Sequence, residues 1–142
     1  MKKYLTTILA SLALLFSANA FADSLTIENA WSPEAPPTAS VMAGYMDVHN
    51  NGHEEILIEK VTSPQFKTIE IHRTVEKNGM SMMVWQPHVH VPPGKVTKLA
   101  PGGKHLMLMH PVKRLKAGDK IKLTLYLSNN QQQTVIATVR KN

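Results

Sequence analysis

Two histidines and two methionines stand at spacings that could build a metal site. Ten residues separate His72 from Met83, twenty-one separate Met83 from His105, and one separates His105 from Met107. Imidazole suits copper, and thioether sulfur selects the soft monovalent ion Cu(I) over hard cations. The pattern therefore predicts that these four side chains bind one Cu(I) ion per chain.

The sequence contains no cysteine, which narrows the chemistry further. A disulfide framework, a thiolate ligand and a lipid-carrying cysteine are all excluded, and so is a blue-copper electron-transfer site. Methionine forms no disulfides, so a His and Met site can work in an oxidising compartment.

The first 22 residues have the pattern of a secretory signal peptide. Two lysines precede an apolar run from Ile8 to Phe16, and small residues follow up to Ala22. This run is too short to span about 30 Å of hydrocarbon, so stable membrane insertion is not expected. We predict cleavage after Ala22, export to a bacterial periplasm, and a single domain over residues 23–142.

The remaining sequence predicts an all-β domain, because short alternating stretches are separated by turn residues and no segment has helical periodicity. About nine short strands are expected, over residues 25–31, 41–50, 54–61, 66–73, 80–85, 95–99, around 105–109, 120–127 and 134–140. Such a series is typical of a Greek-key β-sandwich or barrel. Two Asn-Gly pairs, Asn51-Gly52 and Asn78-Gly79, each indicate a hairpin turn.

These strands would bring the four candidate ligands together. His105 and Met107 are two residues apart, so their side chains leave one face while the leucines beside them enter the core. A hairpin over residues 66–85 would return Met83 to a position near His72, across the strand pair.

Each candidate also has an ordinary structural explanation. Methionine packs well in irregular cores, so Met107, Met109 and the methionines at 80, 82 and 83 could be core side chains. The histidines could be surface residues without a ligand role. Five of the seven methionines after the signal peptide nevertheless lie between residues 80 and 109, beside both histidines. This clustering favours a metal site, in which Met80 or Met82 could replace Met83.

A second motif, His88-x-His90, puts two imidazoles on one face of a strand. The pair could bind Cu(II) or Zn(II) as a secondary site, but a solvated sheet edge is the favoured interpretation. The formal net charge of +6 is attributed to solvated strand faces, although a basic surface could also steer the protein toward an acidic partner. Nucleic acid is not an expected partner, since no aromatic residues interleave with the lysines.

Over about residues 25–140 the chain closely resembles the periplasmic copper chaperones called PCu(A)C. Its four spaced ligands match the signature of that family. Other similar segments are AWSPEAPP at 30–37, AGY at 43–45, VPPGK at 91–95 and LAPGGKHLMLM at 99–109. Two features differ from some members. Arg73 stands where they have Met, and no tail rich in His and Met follows, so a second copper site in a tail is not expected.

The resemblance implies a cupredoxin-like β-sandwich that binds Cu(I) and is not an enzyme. It also implies delivery of the ion to the copper subunit of cytochrome c oxidase, often alongside a Sco-type thiol protein. A copper-buffering or resistance protein without a dedicated acceptor is the main alternative. A copper redox enzyme and a metal-free interaction module are further alternatives.

Overall fold

The computed structural model describes residues 25–142, and the signal peptide predicted over residues 1–22 lies outside that range. Ten strands are present: β1 (Leu25–Pro33), β2 (Val41–Asn50), β3 (Ile56–Thr62), β4 (Phe66–Lys77), β5 (Met80–Gln86), β6 (Val89–Val91), β7 (Val96–Leu99), β8 (Lys104–Pro111), β9 (Lys120–Leu127) and β10 (Gln132–Arg140). Within the described residues there is no helix long and apolar enough to cross a membrane.

The strands form one continuous series of hydrogen-bonded neighbours, and the two ends of β2 pair with different strands. Their order is β5-β4-β8-β2-β1-β10-β9-β3-β6, and β7 also pairs with β2. Residues 41–44 of β2 pair with β8, whereas residues 45–50 pair with β1 and, in part, with β7. The all-β, cupredoxin-like fold is confirmed. The number of strands is ten rather than nine, because the three-residue β6 pairs with β3 as a strand of its own.

Alternating side chains from both parts of the sheet meet in one core. Buried positions on the strands that matter most here are Ile71 of β4, Leu106 and Leu108 of β8, and Ile121, Leu123, Leu125 and Leu127 of β9. Because strand side chains alternate between faces, the residues between these leucines on β8 leave on the outer face. That outer face carries His105 and Met107, as the sequence predicts.

A two-residue turn determines how β4 and β5 pair in a hairpin. Lys77 pairs with Met80, so only Asn78 and Gly79 form the loop. Both have positive φ angles, 52° and 76°, as a two-residue type I′ turn requires, and Asn-Gly is the preferred sequence for it. This turn sets the register of the whole β4–β5 pair.

The hairpin expected at Asn51-Gly52 is absent, and that prediction is wrong. β3 pairs with β6 and β9 and not with β2. The buried Asn50 side chain holds the loop in another shape, because its amide donates to the carbonyls of Glu54 and Val91, each at 2.8 Å. Its Oδ1 accepts from the Gly52 N–H at 2.9 Å. The loop therefore carries the chain toward β3, near the β6 edge, and does not return it along β2.

Candidate metal centre

Three neighbouring strands bring the predicted ligands to one outer surface of the sheet. His72 on β4 is the direct cross-strand partner of His105 on β8, and Met107 is the partner of Glu70. Directly opposite residues in an antiparallel pair point to the same face. Both histidines and Met107 therefore share the outer face of β4 and β8.

Met83 reaches the same face from β5, two residues along the strand from the position directly opposite His72. Its direct partner is Thr74, and the residue directly opposite His72 is Trp85. Met83 is therefore a diagonal neighbour of His72. Diagonal neighbours are about 7–8 Å apart at Cα, a separation that a long side chain such as Met can bridge.

His105 presents a buried nitrogen that is free to bind a metal. The residue is 5% exposed, and its Nδ1 lies 3.1 Å from the Gly103 carbonyl oxygen. Because a carbonyl only accepts, Nδ1 carries the proton and Nε2 keeps its lone pair. Among residues 25–142, Nε2 has no hydrogen-bond partner although it is buried. An unpaired buried nitrogen is costly, and a metal ion would satisfy it.

His72 has the same arrangement with its two nitrogens exchanged. Its side chain is 12% exposed, and Nε2 lies 2.8 Å from Oε2 of Glu70. Nε2 therefore donates to the carboxylate, and the lone pair is left on Nδ1. That nitrogen is also buried and lacks a partner within the described part of the chain. Fixing one ring nitrogen so that the other faces the metal is the usual role of outer hydrogen bonds at metal-bound histidines.

The separation of the two rings is compatible with one shared ion. Their centroids lie 6.1 Å apart, with an interplanar angle of 32°. With metal–nitrogen bonds of about 2.0–2.1 Å, each centroid lies roughly 3 Å from the ion, so two rings on one ion are at most roughly 6 Å apart. That limit applies to a linear arrangement; at a tetrahedral angle the centroids are roughly 5 Å apart, so an ion shared by four ligands requires the two rings to approach each other by about 1 Å.

A cavity of about 260 Å³ adjoins this surface and is lined by three of the four predicted ligands, Met83, His105 and Met107. Tyr45 and Thr74 also line it, whereas His72 does not. Burial raises the pKa of the Tyr45 hydroxyl, so this side chain is neutral beside the candidate site. The cavity provides an open route from solvent to the buried His105.

The structure argues against core packing for the three methionines of β5. Met80, Met82 and Met83 are exposed, Met83 by 61%, whereas Met42 and Met46 are the methionines buried in the described core. Core packing is therefore wrong as an explanation for the β5 methionines. The histidines at 72 and 105 are likewise too buried to be ordinary surface residues.

Glu70 is a site residue that the sequence analysis missed. Its position two residues before His72 in the same strand puts both side chains on one face, and this Glu-x-His spacing was the available signal. Arg73 follows His72 directly in β4, so its side chain points to the other face of the sheet. Its cross-strand partners are Lys104 and Val84. It therefore lies away from the face that carries the candidate ligands.

The donor set fits a soft ion better than a hard one. Residues 25–142 contain no cluster of three or more His, Asp or Glu side chains arranged to hold a metal. What they do contain is two unpaired imidazole nitrogens with two thioethers on the same face. Such donors suit a soft transition-metal ion, whereas Mg²⁺ and Ca²⁺ require oxygen ligands.

The second motif lies at the other end of the strand path. His88 and His90 have rings 4.6 Å apart at the β6 edge, so they share a face as predicted. Both side chains are partly exposed to solvent at this edge.

Comparisons with known proteins agree with this fold. The family described as a putative lipoprotein, LpqE-like, matches residues 25–139. A putative lipoprotein of Leifsonia xyli subsp. xyli is 33% identical over 120 residues, which cover 84% of this chain and 71% of that protein.

Two solved structures share the fold. The solution structure of Cu(I)-bound DR1885 from Deinococcus radiodurans is 29% identical, with a TM-score of 0.70, and covers 88% of this chain and 84% of that one. A copper-bound PCuAC domain from PmoF2 has a TM-score of 0.72 at 22% identity, covering 84% of this chain and 94% of that one. The chain therefore belongs to the LpqE-like family, the family of the PCuAC domains that its sequence resembles.

Proposed function

We propose that this protein binds one Cu(I) ion through His72, Met83, His105 and Met107 and carries it to an acceptor protein. The observation that carries the proposal is the pair of buried, unpaired nitrogens, His72 Nδ1 and His105 Nε2, on adjacent strands. The relative that is 29% identical is described in its Cu(I) form, which supports the choice of ion.

The site suits an ion that must be held and then released. All four ligands are neutral, and Glu70 supplies a nearby negative charge through its hydrogen bond to His72. Met83 is mostly exposed, so an incoming ligand from an acceptor can replace its sulfur first. The buried histidines then keep the ion until a second acceptor ligand arrives. Stepwise exchange of this kind needs no general base or nucleophile.

The acceptor that we propose is the copper subunit of cytochrome c oxidase, with a Sco-type thiol protein as a possible participant. The compartment is the periplasm, which the signal peptide pattern and the lipoprotein names of the relatives support. In this proposal the ion is a cargo and not a reagent, so we propose a carrier and not an enzyme.

The alternative is a copper-buffering protein that binds the same ion without a dedicated acceptor. A transfer experiment separates the two functions. The Cu(I)-loaded protein would be mixed anaerobically with the apo copper domain of cytochrome c oxidase, and the metal content of each protein measured after separation. A carrier delivers copper faster than the same amount of Cu(I) bound by a small-molecule chelator of equal affinity. If transfer is no faster than from that chelator, the protein is a buffer.

A further inference from the structure

A second pair of imidazoles at the edge of the sheet also has the geometry of a chelating site. β6 ends the strand path and pairs with β3 alone in the described sheet. Val89 and Val91 are buried, and alternation therefore directs the residues at 88 and 90 outward. A hydrogen bond joins the Nε2 atoms of His88 and His90, which lie 3.0 Å apart.

Glu55 fixes the orientation of one ring. Its Oε1 lies 2.8 Å from His90 Nδ1, and a carboxylate accepts the proton that Nδ1 carries. The lone pair of His90 is then on Nε2, directed at His88. This is the carboxylate–histidine arrangement that selects the tautomer and ring orientation at metal-bound histidines.

Two side-chain hydrogen bonds hold the backbone of β6, the strand that contains His90 and begins directly after His88. The Asn50 side chain donates to the Val91 carbonyl at 2.8 Å, and the Thr97 hydroxyl donates to the His90 carbonyl at 3.0 Å. Both bonds constrain the backbone of β6 although it is an edge strand. The backbone of His90 is therefore fixed two residues after His88, which lowers the entropy lost when both rings bind one ion.

We propose that His88 and His90 form a second metal site that binds a divalent late transition-metal ion, with Glu55 as a positioning residue. Two nitrogens bound in cis positions to one ion at about 2.0–2.1 Å are roughly 2.9 Å apart at a 90° angle and roughly 3.4 Å apart at a tetrahedral angle. The observed 3.0 Å is close to the square-planar value.

The donor set favours Cu²⁺ over Zn²⁺. Tetragonal nitrogen and oxygen coordination is typical of Cu(II), and Cu²⁺ also stands highest in the divalent affinity series. Two protein ligands leave the remaining positions to water. Binding requires His88 to carry its proton on Nδ1, which solvent exchange achieves without changing the charge of the ring. Since the site contains no thioether, it is chemically unlike the centre at His72 and His105.

The test is a titration of the protein, purified after export, with Cu²⁺ in the absence of reductant, followed by electron paramagnetic resonance. We expect a tetragonal Cu(II) signal with imidazole nitrogen coupling. The double variant His88→Asn, His90→Asn should lose this signal. The matched control His53→Asn removes an exposed histidine from the nearby β2–β3 loop and should keep it.

Two further variants separate this site from the first one. His105→Ala, Met107→Leu should retain the Cu(II) signal, because the edge pair does not depend on those residues. Glu55→Gln should weaken Cu²⁺ binding about 10–100-fold, as the loss of an outer hydrogen-bond partner does, while Cu(I) binding stays unchanged. A Cu(II) signal that survives in the His88→Asn, His90→Asn variant, or no Cu²⁺ binding at all, would overturn the proposal.

Discussion

His72 and His105 are direct cross-strand partners, and each has one nitrogen fixed by a hydrogen bond and the other buried without a partner. The fixed atoms differ, Nε2 in His72 and Nδ1 in His105. The free lone pairs are therefore on Nδ1 of one ring and Nε2 of the other. Burial of two such nitrogens costs stability in the metal-free protein, and this cost is recovered when both bind one ion.

Replacement of Met83 by leucine should weaken Cu(I) binding with little effect on folding. The change roughly conserves volume, and the side chain is largely exposed, so the fold has little to lose. We expect at least a tenfold loss of affinity, about 1.4 kcal/mol, in an anaerobic competition titration. The control is Met82→Leu, on the opposite face of β5 by alternation. Equal affinity in both variants would remove Met83 from the site.

Glu70 should affect Cu(I) affinity without binding the ion itself. Glu70→Ala removes the acceptor that orients His72, and the loss of an outer partner typically costs about 10–100-fold in metal affinity. Glu70→Gln keeps an acceptor oxygen but not the charge, so its affinity should lie between those of the wild type and Glu70→Ala. Competition titrations of the three proteins check the order. If Glu70→Ala binds as tightly as the wild type, His72 does not depend on this contact.

Gly44 is required by close packing between β2 and β8. A Cβ atom at this position would lie 3.2 Å from the Leu106 Cβ, which is closer than ordinary contact. The surrounding core side chains would have to shift to make room, and this lowers the stability of the fold. Gly44→Ala should lower the free energy of unfolding by about 1–2 kcal/mol, measured by urea denaturation. At Gly103 the nearest atom to an added Cβ is 3.6 Å away, so Gly103→Ala is the control. No difference between the two would contradict the packing argument.

Tyr45 should make stability fall at alkaline pH. Burial raises the pKa of its hydroxyl above the ordinary value of 10.0, so the folded state keeps its proton at a pH where the unfolded chain has lost it. Stability is then unaffected below pH 10 and decreases as the pH rises above it. Urea denaturation at pH 9 and pH 11 would measure this, and Tyr45→Phe should show a smaller decrease. An identical decrease in both proteins would assign the effect to other groups.

The sequence predicts the fold class and most strands because alternation at a period of two is a local property. Leu106 and Leu108 enter the core and their neighbours face outward, as the pattern requires. The two Asn-Gly pairs show the limit of such reasoning. Asn78-Gly79 forms the expected type I′ turn, whereas Asn51-Gly52 does not, because the Asn50 side chain bonds to a carbonyl forty-one residues away.

In the candidate site, too, some features can be predicted from the local sequence and others depend on the folded structure. Residue types and spacing select the four candidate side chains, and the local hairpin places Met83 on the face that carries His72 and His105. The direct pairing of Met83 with Thr74, diagonal to His72, depends on the register set by a two-residue loop. The role of Glu70 and the free nitrogen of each ring depend on side-chain contacts that only the folded structure contains.

The most direct test of the account is an anaerobic Cu(I) titration of the purified protein against a coloured Cu(I) chelator. The wild type would be compared with His105→Ala, Met107→Leu and with the matched control His53→Ala, Met82→Leu. We predict one tightly bound Cu(I) per chain in the wild type and the control, and loss of that ion in the first variant. Binding that is absent from the wild type, or unchanged in the first variant, would contradict the account.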